Sequence, residues 1–242
     1  MNSHAHDLSL IIPAFNEELR LPSTLEQVAN FIKTQSYSSE VLVVENGSQD
    51  ATLQIAQTFA KNNPAFQVIH RERRGKGLAV RLGMLAARGQ FRMMLDADLS
   101  MPIEQVARFI PLMQQGSDIA IASREAPGAV SYNEPAYRHL GGRVINTMIR
   151  ILALPGLQDT QCGFKCFKAS VARELFAKQT IEGWSFDIEV LYMARRRGFS
   201  VVELPIPWYY SEQSHINPLP DTIGMFLDIL RIRNNAAEGL YG

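Results

Sequence analysis

The sequence places two carboxylates two residues apart, directly after a short apolar run. Asp96 and Asp98 flank Ala97 and follow residues 93–95 (MML). Residues two apart at a strand end project in the same direction, so these carboxylates are expected to converge beyond the edge of a sheet. A hard divalent ion bridging to a substrate diphosphate would relieve their repulsion. The alternative is an aspartate that caps the next helix, beside a solvated turn acid.

Two other turns carry acids at comparable positions. Residues 13–18 (PAFNEE) close the first predicted strand, and residues 45–50 (ENGSQD) close the second. Three successive strands therefore end in acidic turns on one rim of the predicted sheet. Carboxylates there can accept hydrogen bonds from a ribose and a base, but they would repel a bare diphosphate.

Cations in the stretch 70–92 balance this acidity. Only Glu72 is acidic there, against these basic residues: Arg71, Arg73, Arg74, Lys76, Arg81, Arg88 and Arg92. Lys76 lies between two glycines and is expected to reach phosphate, whereas Arg88 and Arg92 are expected on a solvated helix face. The glycines match neither a dinucleotide fingerprint, which would need glycine at Val80, nor a P-loop, which needs Ser or Thr after its lysine.

Alternating apolar runs and amphipathic stretches would position these turns. The predicted strands are 8–13, 41–45, 67–70, 93–96 and 119–122, and the predicted helices are 21–34, 50–61, 78–88 and 103–114, with Asp50 as a helix cap. This alternation is typical of a parallel sheet with crossover helices, which binds ligands at the carboxyl ends of its strands.

The second half of the chain has a less regular pattern. We expect a loop at 126–135, helices at 137–154, 186–197 and 221–233, and strands at 163–168 and 201–204, followed by the proline-broken segment PIPWYY. No linker or internal repeat separates the halves. We therefore expect one domain over residues 1–242, with a nucleotide-binding half at 8–123 and an acceptor-binding half at 124–233.

Composition excludes several classes of protein. The 242 residues include 24 basic and 24 acidic side chains and are 46% hydrophobic, which excludes a disordered chain and a globally basic nucleic-acid binder. No apolar run is long enough to predict a membrane span. The only cysteines, Cys162 and Cys166, predict a reducing, cytoplasmic setting and are too few for a zinc site.

Four motifs of the first half, PAFNEE, VVENGSQDAT, RGKG and DADLS, resemble those of family 2 glycosyltransferases with the GT-A fold. Two motifs of the second half, DTQCGFK at 159–165 and WSFDIE at 184–189, resemble the branch that contains dolichyl-phosphate and bacterial polyprenyl-phosphate glucosyltransferases. The resemblance covers residues 8–233. It implies an α/β GT-A domain with a mostly parallel central sheet flanked by helices.

The resemblance implies a role for each matching residue of the donor site. Asp96 and Asp98 would hold Mg²⁺ or Mn²⁺, and Lys76 would stabilise charge on the leaving phosphate. Ser100 stands where some mannosyl-transferring relatives have a glutamine ligand. The donor would contact Pro13, Phe15, Glu17, Glu45, Lys76, Asp96, Ala97 and Asp98.

For the acceptor, the resemblance assigns the general-base position to Asp187, whose alternative is a helix-start acid. A lipid phosphate has a second pKa near ~6 and is already nucleophilic at neutral pH. Asp187 would then orient the acceptor or the sugar. Cationic and aromatic groups expected near the acceptor are Arg124, Arg138, Arg143, Lys165 and Trp184, and for the cations other than Arg124 a surface salt bridge is the alternative.

A polar stripe runs along the helix predicted at 137–154, formed by Arg143, Asn146, Thr147 and Arg150. Such a helix either lies in a lipid interface or packs on a core. The last helix is a second candidate for interfacial contact. We therefore expect a cytoplasmic protein, peripheral on the cytoplasmic face of a membrane or working with a membrane partner.

The leading interpretation is a metal-dependent, inverting transfer of glucose from UDP-glucose to a polyprenyl or dolichyl phosphate. The alternatives are transfer of mannose from GDP-mannose, transfer to a sugar hydroxyl in polysaccharide synthesis, and a non-catalytic nucleotide-sugar-binding module. A nicotinamide oxidoreductase is disfavoured by the missing glycine fingerprint.

Overall fold

The computed structural model describes residues 4–210 and 218–242, without the side chains of residues 136–140 and 218–221. The first half of the chain contains β1 (His6–Ala14), α1 (Leu21–Thr34), β2 (Ser39–Glu45), α2 (Thr52–Asn62), β3 (Phe66–His70), α3 (Lys76–Ala86), β4 (Gly89–Met94), α4 (Val106–Gln114) and β5 (Ile119–Ser123). The second half contains β6 (Val130–Tyr132), α5 (Ala136–Leu152), β7 (Lys165–Lys168), α6 (Ala169–Lys178), α7 (Phe186–Arg196), β8 (Val201–Pro205), β9 (Pro207–Tyr209) and α8 (Pro218–Ala237).

Seven strands form one twisted sheet in the order β3-β2-β1-β4-β7-β5-β8. All neighbours are parallel except β7, which runs antiparallel between β4 and β5. Helices cover both faces, so the central strands are buried on both sides and their sequences are continuously apolar. The short strands β6 and β9 pair separately beyond the carboxyl end of β5. The α/β class and the mostly parallel sheet expected from the sequence are confirmed.

Most predicted elements are present, with shifted ends. The bounds of α1 were predicted correctly, but β4 ends at Met94, so Asp96 lies in the turn after the strand. Helix α2 begins at Thr52, and Asp50 instead accepts hydrogen bonds from the Thr52 amide (2.9 Å) and hydroxyl (2.5 Å). Asp50 thus closes a turn in front of the helix.

Two predictions for the fold were wrong, and one helix was not predicted. The loop expected at 126–135 contains β6, which is exposed and held by pairing with β9, so no local apolar pattern marks it. Helix α6 was not predicted, because it follows β7 directly without a turn signal. Arg92 lies on β4 rather than on a solvated helix face; it is 3% exposed and donates to the Met84 carbonyl at the end of α3.

A buried carboxylate ties three strands together at the amino end of the sheet. Glu40 Oε1 accepts the Ser9 hydroxyl (2.6 Å) and the Arg88 amide (2.6 Å), and Glu40 Oε2 lies 3.3 Å from Arg88 Nε. Ser9 Oγ in turn accepts the Gly89 amide at 2.8 Å. Burial alone would raise the pKa of Glu40, but the hydrogen bonds from Ser9 and Arg88 outweigh it and lower that pKa.

None of the helices in the described residues is long and apolar enough to cross a bilayer.

The network predicts a pH-dependent loss of stability for Glu40→Gln. Because the native pKa lies below its ordinary value of 4.5, ionised Glu40 stabilises the fold above that pH, and this contribution is lost as the pH falls through the native pKa. Urea unfolding at neutral pH is expected to show a loss of about 2 kcal/mol. The deficit should shrink when unfolding is measured at an acidic pH well below 4.5. The exposed Glu26→Gln should match the parent at both pH values, and a pH-independent deficit in Glu40→Gln would contradict the assignment.

Candidate functional site

The first two acidic turns interlock at the carboxyl edge of the sheet. The Asn16 amide donates to Ser48 Oγ (3.0 Å), and the Gln49 amide donates to Asn16 Oδ1 (2.9 Å). Asn16 adopts φ of 53°, a left-handed conformation that asparagine tolerates better than most residues. The Glu17 amide donates to Thr52 Oγ1 at 2.7 Å. The ends of β1 and β2 therefore form one rigid rim.

The acids of these two turns are paired within the protein. Glu17 is 9% exposed and its Oε2 lies 2.6 Å from Arg20 Nε. Glu45 is fully buried; it accepts the Ser48 amide at 2.5 Å and lies 2.5 Å from His70 Nδ1. The sequence predicted Glu17 and Glu45 beside a nucleoside, and the structure places both on the rim but turns both carboxylates towards protein partners.

Pro13 and Phe15 are half-buried on the same rim. The Arg74 guanidinium carbon lies 4.4 Å from the centroid of the Phe15 ring, so a cation stacks on the aromatic face. Gly47, with φ of 80°, lets the turn after β2 pack against the Glu72 carbonyl, where a Cβ would collide. The basic stretch after β3 therefore lies against the first two turns, as its charge balance suggested.

Lys76 and Asp96 form the central ion pair of the site. Lys76 Nζ lies 2.7 Å from Asp96 Oδ1, and their side chains are 20% and 29% exposed. Lys76 is the first residue of α3, whose amino terminus therefore faces the turn after β4. The Lys76 ammonium also lies 4.8 Å from the centroid of the Trp184 ring. Lys76, which the sequence predicted to reach phosphate, thus lies against the Asp-Ala-Asp turn.

A second ion pair lies beneath the first. Lys165 Nζ lies 3.1 Å from Asp187 Oδ1, and both side chains are almost fully buried, at 1% and 6% exposure. Lys165 also donates to the Cys162 carbonyl at 2.5 Å. Lys165 was predicted to bind acceptor, and in the structure its ammonium is held between Asp187 and the backbone of the DTQCGFK motif.

The two pairs influence one another through their charges. Burial alone would raise the pKa of Asp96, but the adjacent Lys76 outweighs it and holds that pKa below its ordinary value. Burial alone would lower the pKa of Lys76, and the charges of Asp96 and Asp187 raise it instead. For Asp187, burial dominates and raises the pKa despite Lys165 and Lys76. The site thus combines one firmly ionised carboxylate with one that protonates more readily.

Two glycines make the close approach of these groups possible. A Cβ at Gly163 would overlap the Asp96 carboxylate, so the DTQCGFK motif must carry glycine there. A Cβ at Gly77 would lie 2.7 Å from both the Ile181 carbonyl and Phe186 Cβ. Gly163 was quoted from the sequence only as part of a motif, and no local pattern reveals that it packs on an acid 67 positions earlier.

Asp98 and Asp96 could share a metal ion only with help from a substrate. Asp98 Oδ1 accepts the Ser100 amide at 3.0 Å, and the intervening Ala97 carbonyl accepts the Thr24 hydroxyl at 2.6 Å. In the described part of the chain, no three His, Cys, Asp or Glu side chains form a ready-made metal site. Magnesium commonly binds through one or two carboxylates, with phosphate oxygens and water completing its shell. The residues fit an ion of that kind.

Arg124 is fixed by Asp159 rather than left free for a ligand. Its Nε and Nη2 donate to the two Asp159 oxygens at 2.6 and 3.0 Å, a bidentate pair with a fully buried carboxylate. The Arg124 guanidinium lies 5.4 Å from the Trp208 ring centroid. Glu203 accepts the backbone amides of Gln158 (2.8 Å) and Asp159 (3.0 Å). Arg124 therefore anchors the loop that carries Gly163.

The other predicted acceptor residues differ in placement. Trp184 is 40% exposed and lies beside Lys76, so it belongs to the cluster. Arg143 is exposed on α5, and no hydrogen bond or ion pair among the described side chains joins it to the cluster. The side chain of Arg138 lies outside the described residues. Burial raises the pKa of the Cys162 thiol to about 12, so the thiol of this small buried side chain stays protonated at neutral pH.

Glu189 holds the loop in front of Trp184. Its carboxylate is fully buried and accepts the Thr180 amide (3.0 Å) and hydroxyl (2.6 Å), the Ile181 amide (2.8 Å) and the Tyr241 hydroxyl (2.7 Å). The same loop reaches α3, because Gln179 Nε2 donates to the Gly77 carbonyl at 2.9 Å. The WSFDIE motif thus contains a second acid, missed as a site component, that supports Lys76 through the backbone.

Comparison with known proteins identifies related chains. Residues 9–176 match the family model described as glycosyl transferase family 2. A dolichyl-phosphate beta-glucosyltransferase of Dictyostelium discoideum is 31% identical, over 97% of this chain and 76% of the relative. One of Drosophila melanogaster is 33% identical, over 96% of this chain and 76% of the relative.

Solved structures show the same architecture. Glucosyl-3-phosphoglycerate synthase from Mycobacterium tuberculosis, in complex with UDP, superimposes with a TM-score of 0.67 at 19% identity, covering 94% of this chain and 80% of that one. The same enzyme with Mn²⁺, UDP and phosphoglyceric acid gives a TM-score of 0.65 at 18% identity, covering 98% and 79%. The GT-A fold expected from the sequence is confirmed.

The Glu189 network predicts opposite outcomes for two tyrosine substitutions. Tyr241→Phe removes the hydroxyl that Glu189 accepts, and it should lower the free energy of unfolding by about 1–2 kcal/mol. Tyr37→Phe is the control, because the buried Tyr37 hydroxyl has no hydrogen-bond partner among the described residues. It should be neutral or stabilising. Urea unfolding checks both variants, and equal effects would contradict the network.

Proposed function

Since the chain belongs to glycosyl transferase family 2, we propose that it transfers glucose, with inversion, from UDP-glucose to a polyprenyl or dolichyl phosphate. In this proposal residues 8–123 bind the donor and residues 124–233 bind the acceptor. We place the reaction on the cytoplasmic face of a membrane, in keeping with a reducing setting in which Cys162 and Cys166 remain thiols.

The observation that carries the proposal is the Lys76–Asp96 pair, with Asp98 beside it, at the carboxyl edge of a GT-A sheet. The relatives named dolichyl-phosphate beta-glucosyltransferase support glucose as the sugar and a lipid phosphate as the acceptor. UDP, bound in the structural neighbours with Mg²⁺ or Mn²⁺, supports the nucleotide and the ion.

The donor diphosphate would lie between Lys76 and the Asp96–Asp98 turn. Helix α3 presents its amino terminus and the Lys76 ammonium there, and both favour an anion. Asp96 and Asp98 would hold Mg²⁺ or Mn²⁺, which supplies positive charge for the diphosphate when it is bound. Pro13, Phe15 and the rim that contains Glu17 and Glu45 would contact the nucleoside.

The reaction is a displacement at the anomeric carbon of glucose. An oxygen of the acceptor phosphate forms the new bond with its own electron pair, and the bond to the diphosphate oxygen breaks with its electrons leaving on UDP. Lys76 is fixed by Asp96 and Trp184, so its charge faces the leaving group without reorganisation. Trp184 would cover the sugar. Lys165, which is buried in the floor of the site, would attract the acceptor anion at longer range.

A sugar hydroxyl as acceptor is the second candidate function, and the raised pKa of Asp187 favours it. A hydroxyl must lose its proton during attack, and a buried carboxylate with a raised pKa is a suitable general base. A phosphate monoester needs no such base. With a phosphate acceptor, Asp187 would position Lys165 through their ion pair.

The first experiment measures transfer of radiolabelled sugar from UDP-glucose, and in parallel from GDP-mannose, into polyprenyl phosphate with Mg²⁺ or Mn²⁺. Lipid product from UDP-glucose alone is expected, and chelation with EDTA should abolish it. Asp98→Asn should lower kcat/KM by about 100-fold or more, because transition-state charge is less well stabilised. The exposed Glu104→Gln, in the next turn of the chain, should retain full activity. Product from GDP-mannose alone would overturn the donor assignment.

Asp187→Asn separates the two acceptor chemistries. If phosphate is the acceptor, we expect a loss of roughly tenfold, since no proton needs to be removed. A loss of about 1,000-fold is expected if a hydroxyl is the acceptor and Asp187 is its base. The same variant should be assayed on polyprenyl phosphate and on free sugars, and the substrate that shows the larger loss identifies the chemistry.

Gly163→Ala tests the packing of the second half against the donor site. The new Cβ must displace the Asp96 carboxylate and weaken its pair with Lys76, so we expect kcat/KM to fall about 100-fold. Gly183→Ala is a matched control in the neighbouring loop, because nothing lies within 4 Å of the position of its Cβ. Equal activity of the two variants would show that Asp96 is not held in this way.

A further inference from the structure

An open cavity of about 450 Å³ lies at the amino edge of the sheet, where β1 and β4 begin and α3 ends. Three arginines line it, Arg88, Arg92 and Arg173, together with His4 and the apolar residues 85–87 around the end of α3. Sites for small molecules commonly have volumes of about 300–1,000 Å³ and mix apolar walls with a few polar groups. The cavity therefore has the size and the lining of a ligand site.

The cavity is separate from the proposed donor site. Helix α3 begins with Lys76 at the donor site and ends with Ala86 at the cavity. Since a helix rises 1.5 Å per residue, its two ends lie about 15 Å apart. A ligand in the cavity would therefore be additional to the donor and the acceptor.

Arg92 brings a buried positive charge to the wall of the cavity. Its side chain is 3% exposed, and its Nη1 donates to the Met84 carbonyl at the end of α3. Its Nε is buried without a hydrogen-bond partner among the described residues. A buried donor without an acceptor is costly. Arg92 thus keeps donor capacity that the described part of the chain leaves unused.

The end of α3 explains one of the three arginines. The last carbonyls of a helix carry partial negative charge and favour a cation, and Arg92 occupies that position. Arg173 Nε donates instead to the Ala169 carbonyl of its own helix (3.3 Å), and Arg88 Nε lies 3.3 Å from Glu40 Oε2. Two further positive charges therefore line the cavity without serving the end of α3.

The charges around the cavity do not balance. Glu40 is the carboxylate that faces Arg88, and neither Arg92 nor Arg173 forms an ion pair with a residue that the structure describes. Burial lowers the pKa of Arg92, and the charge of Arg173 lowers it further, while Glu40 acts in the opposite direction. The two arginines therefore repel each other, and an anion between them would remove that repulsion. Residues 1–3 (MNS), which precede His4, contain no acidic side chain.

The surplus of charge fits a phosphate group. Guanidinium groups bind phosphate oxygens through pairs of N–H donors. A phosphate monoester carries about −1.5 to −2 charges at neutral pH and offers three acceptor oxygens. This charge is close to the two positive charges that remain when Glu40 is set against the three arginines. A carboxylate, with a single charge, would balance only part of the surplus.

We propose that this cavity binds a small phosphorylated metabolite, with the phosphate group between Arg92 and Arg173 and the carbon skeleton against residues 85–87. Arg92 lies on β4, four residues before Asp96, and α3 carries Lys76 at its other end. The ligand therefore contacts the two elements that hold the donor-site ion pair. Its binding stabilises the folded chain.

The test measures binding of inorganic phosphate by calorimetry, in EDTA and at constant ionic strength, so that no metal ion supports binding at the Asp96–Asp98 turn. The parent chain should bind phosphate, and its Tm should rise with phosphate but not with chloride. Arg173→Gln removes an exposed cation of the cavity and should raise the Kd about tenfold. Arg92→Lys keeps the charge but loses the paired donors, and a rise of at least about tenfold is expected.

Two variants outside the cavity serve as controls. Lys33→Gln removes an exposed cation at the end of α1, at the same edge of the sheet, and should bind phosphate like the parent. Lys76→Gln removes the cation of the donor site, and its Kd should also be unchanged. Weaker binding in Lys76→Gln together with parent-like binding in Arg173→Gln would assign the phosphate to the donor site and overturn the proposal.

Nuclear magnetic resonance of isotope-labelled arginine locates the bound phosphate. The Nε–H signals of Arg92 and Arg173, assigned from the two variants, should shift on titration, whereas that of the exposed Arg108 on α4 should not. Circular dichroism confirms that each variant is folded, and Arg173→Gln, at an exposed position, should keep the parent structure. Absence of phosphate binding, or equal shifts of all arginine signals, overturns the proposal. None of these measurements depends on glucose transfer, so the outcome is independent of the proposed function.

Discussion

The ion pair between Lys76 and Asp96 imposes the main constraint on this molecule, because the groups around it must hold both charges together in a site that water reaches only in part. Lys76 lies against Asp96 Oδ1, and Gly163 packs so closely against Asp96 Oδ2 that a Cβ there would overlap it. Lys76 lies at the rim because α3 begins there. The start of α3 can pack against the backbone of the loop before Trp184 only because Gly77 has no Cβ. A buried, unpaired charge is costly, so each side chain fixes the other.

The second half of the chain supplies the opposite wall of the site by inserting an antiparallel strand. Strand β7 runs against β4 and β5, so the residues before it, including Gly163, arrive at the same sheet edge as the ends of the parallel strands. Lys165, the first residue of β7, then meets Asp187 at the start of α7. The two motifs that looked specific to one branch from the sequence are therefore neighbours in space, joined by a buried ion pair.

The sequence predicted the elements of the first half of the chain better than those of the second half for a physical reason. Continuous apolar runs and helical periodicity mark β1 to β5 and their helices, and turns at the ends of parallel strands must meet at one edge. No local sequence pattern of this kind shows which residue pairs with a given charged group. The sequence could not show that Asp159 occupies Arg124, that His70 lies against Glu45, or that Glu189 holds the loop around Thr180, because each depends on packing between distant segments. The isolated pair β6–β9 and helix α6 were missed for the same reason.

The position of β7 also affects how the chain can fold. Residues 8–123 look like a complete nucleotide-binding unit in sequence, yet β4 and β5 are not neighbours in the sheet, because β7 lies between them. During synthesis the edge of β4 stays unpaired until residues 165–168 emerge, and an open apolar strand edge invites pairing with other chains. A fragment that ends at residue 123 would therefore be expected to aggregate rather than to bind nucleotide. We therefore expect the two halves to fold as one cooperative unit, and we expect a split of the chain to be best tolerated outside the segment between β4 and β7.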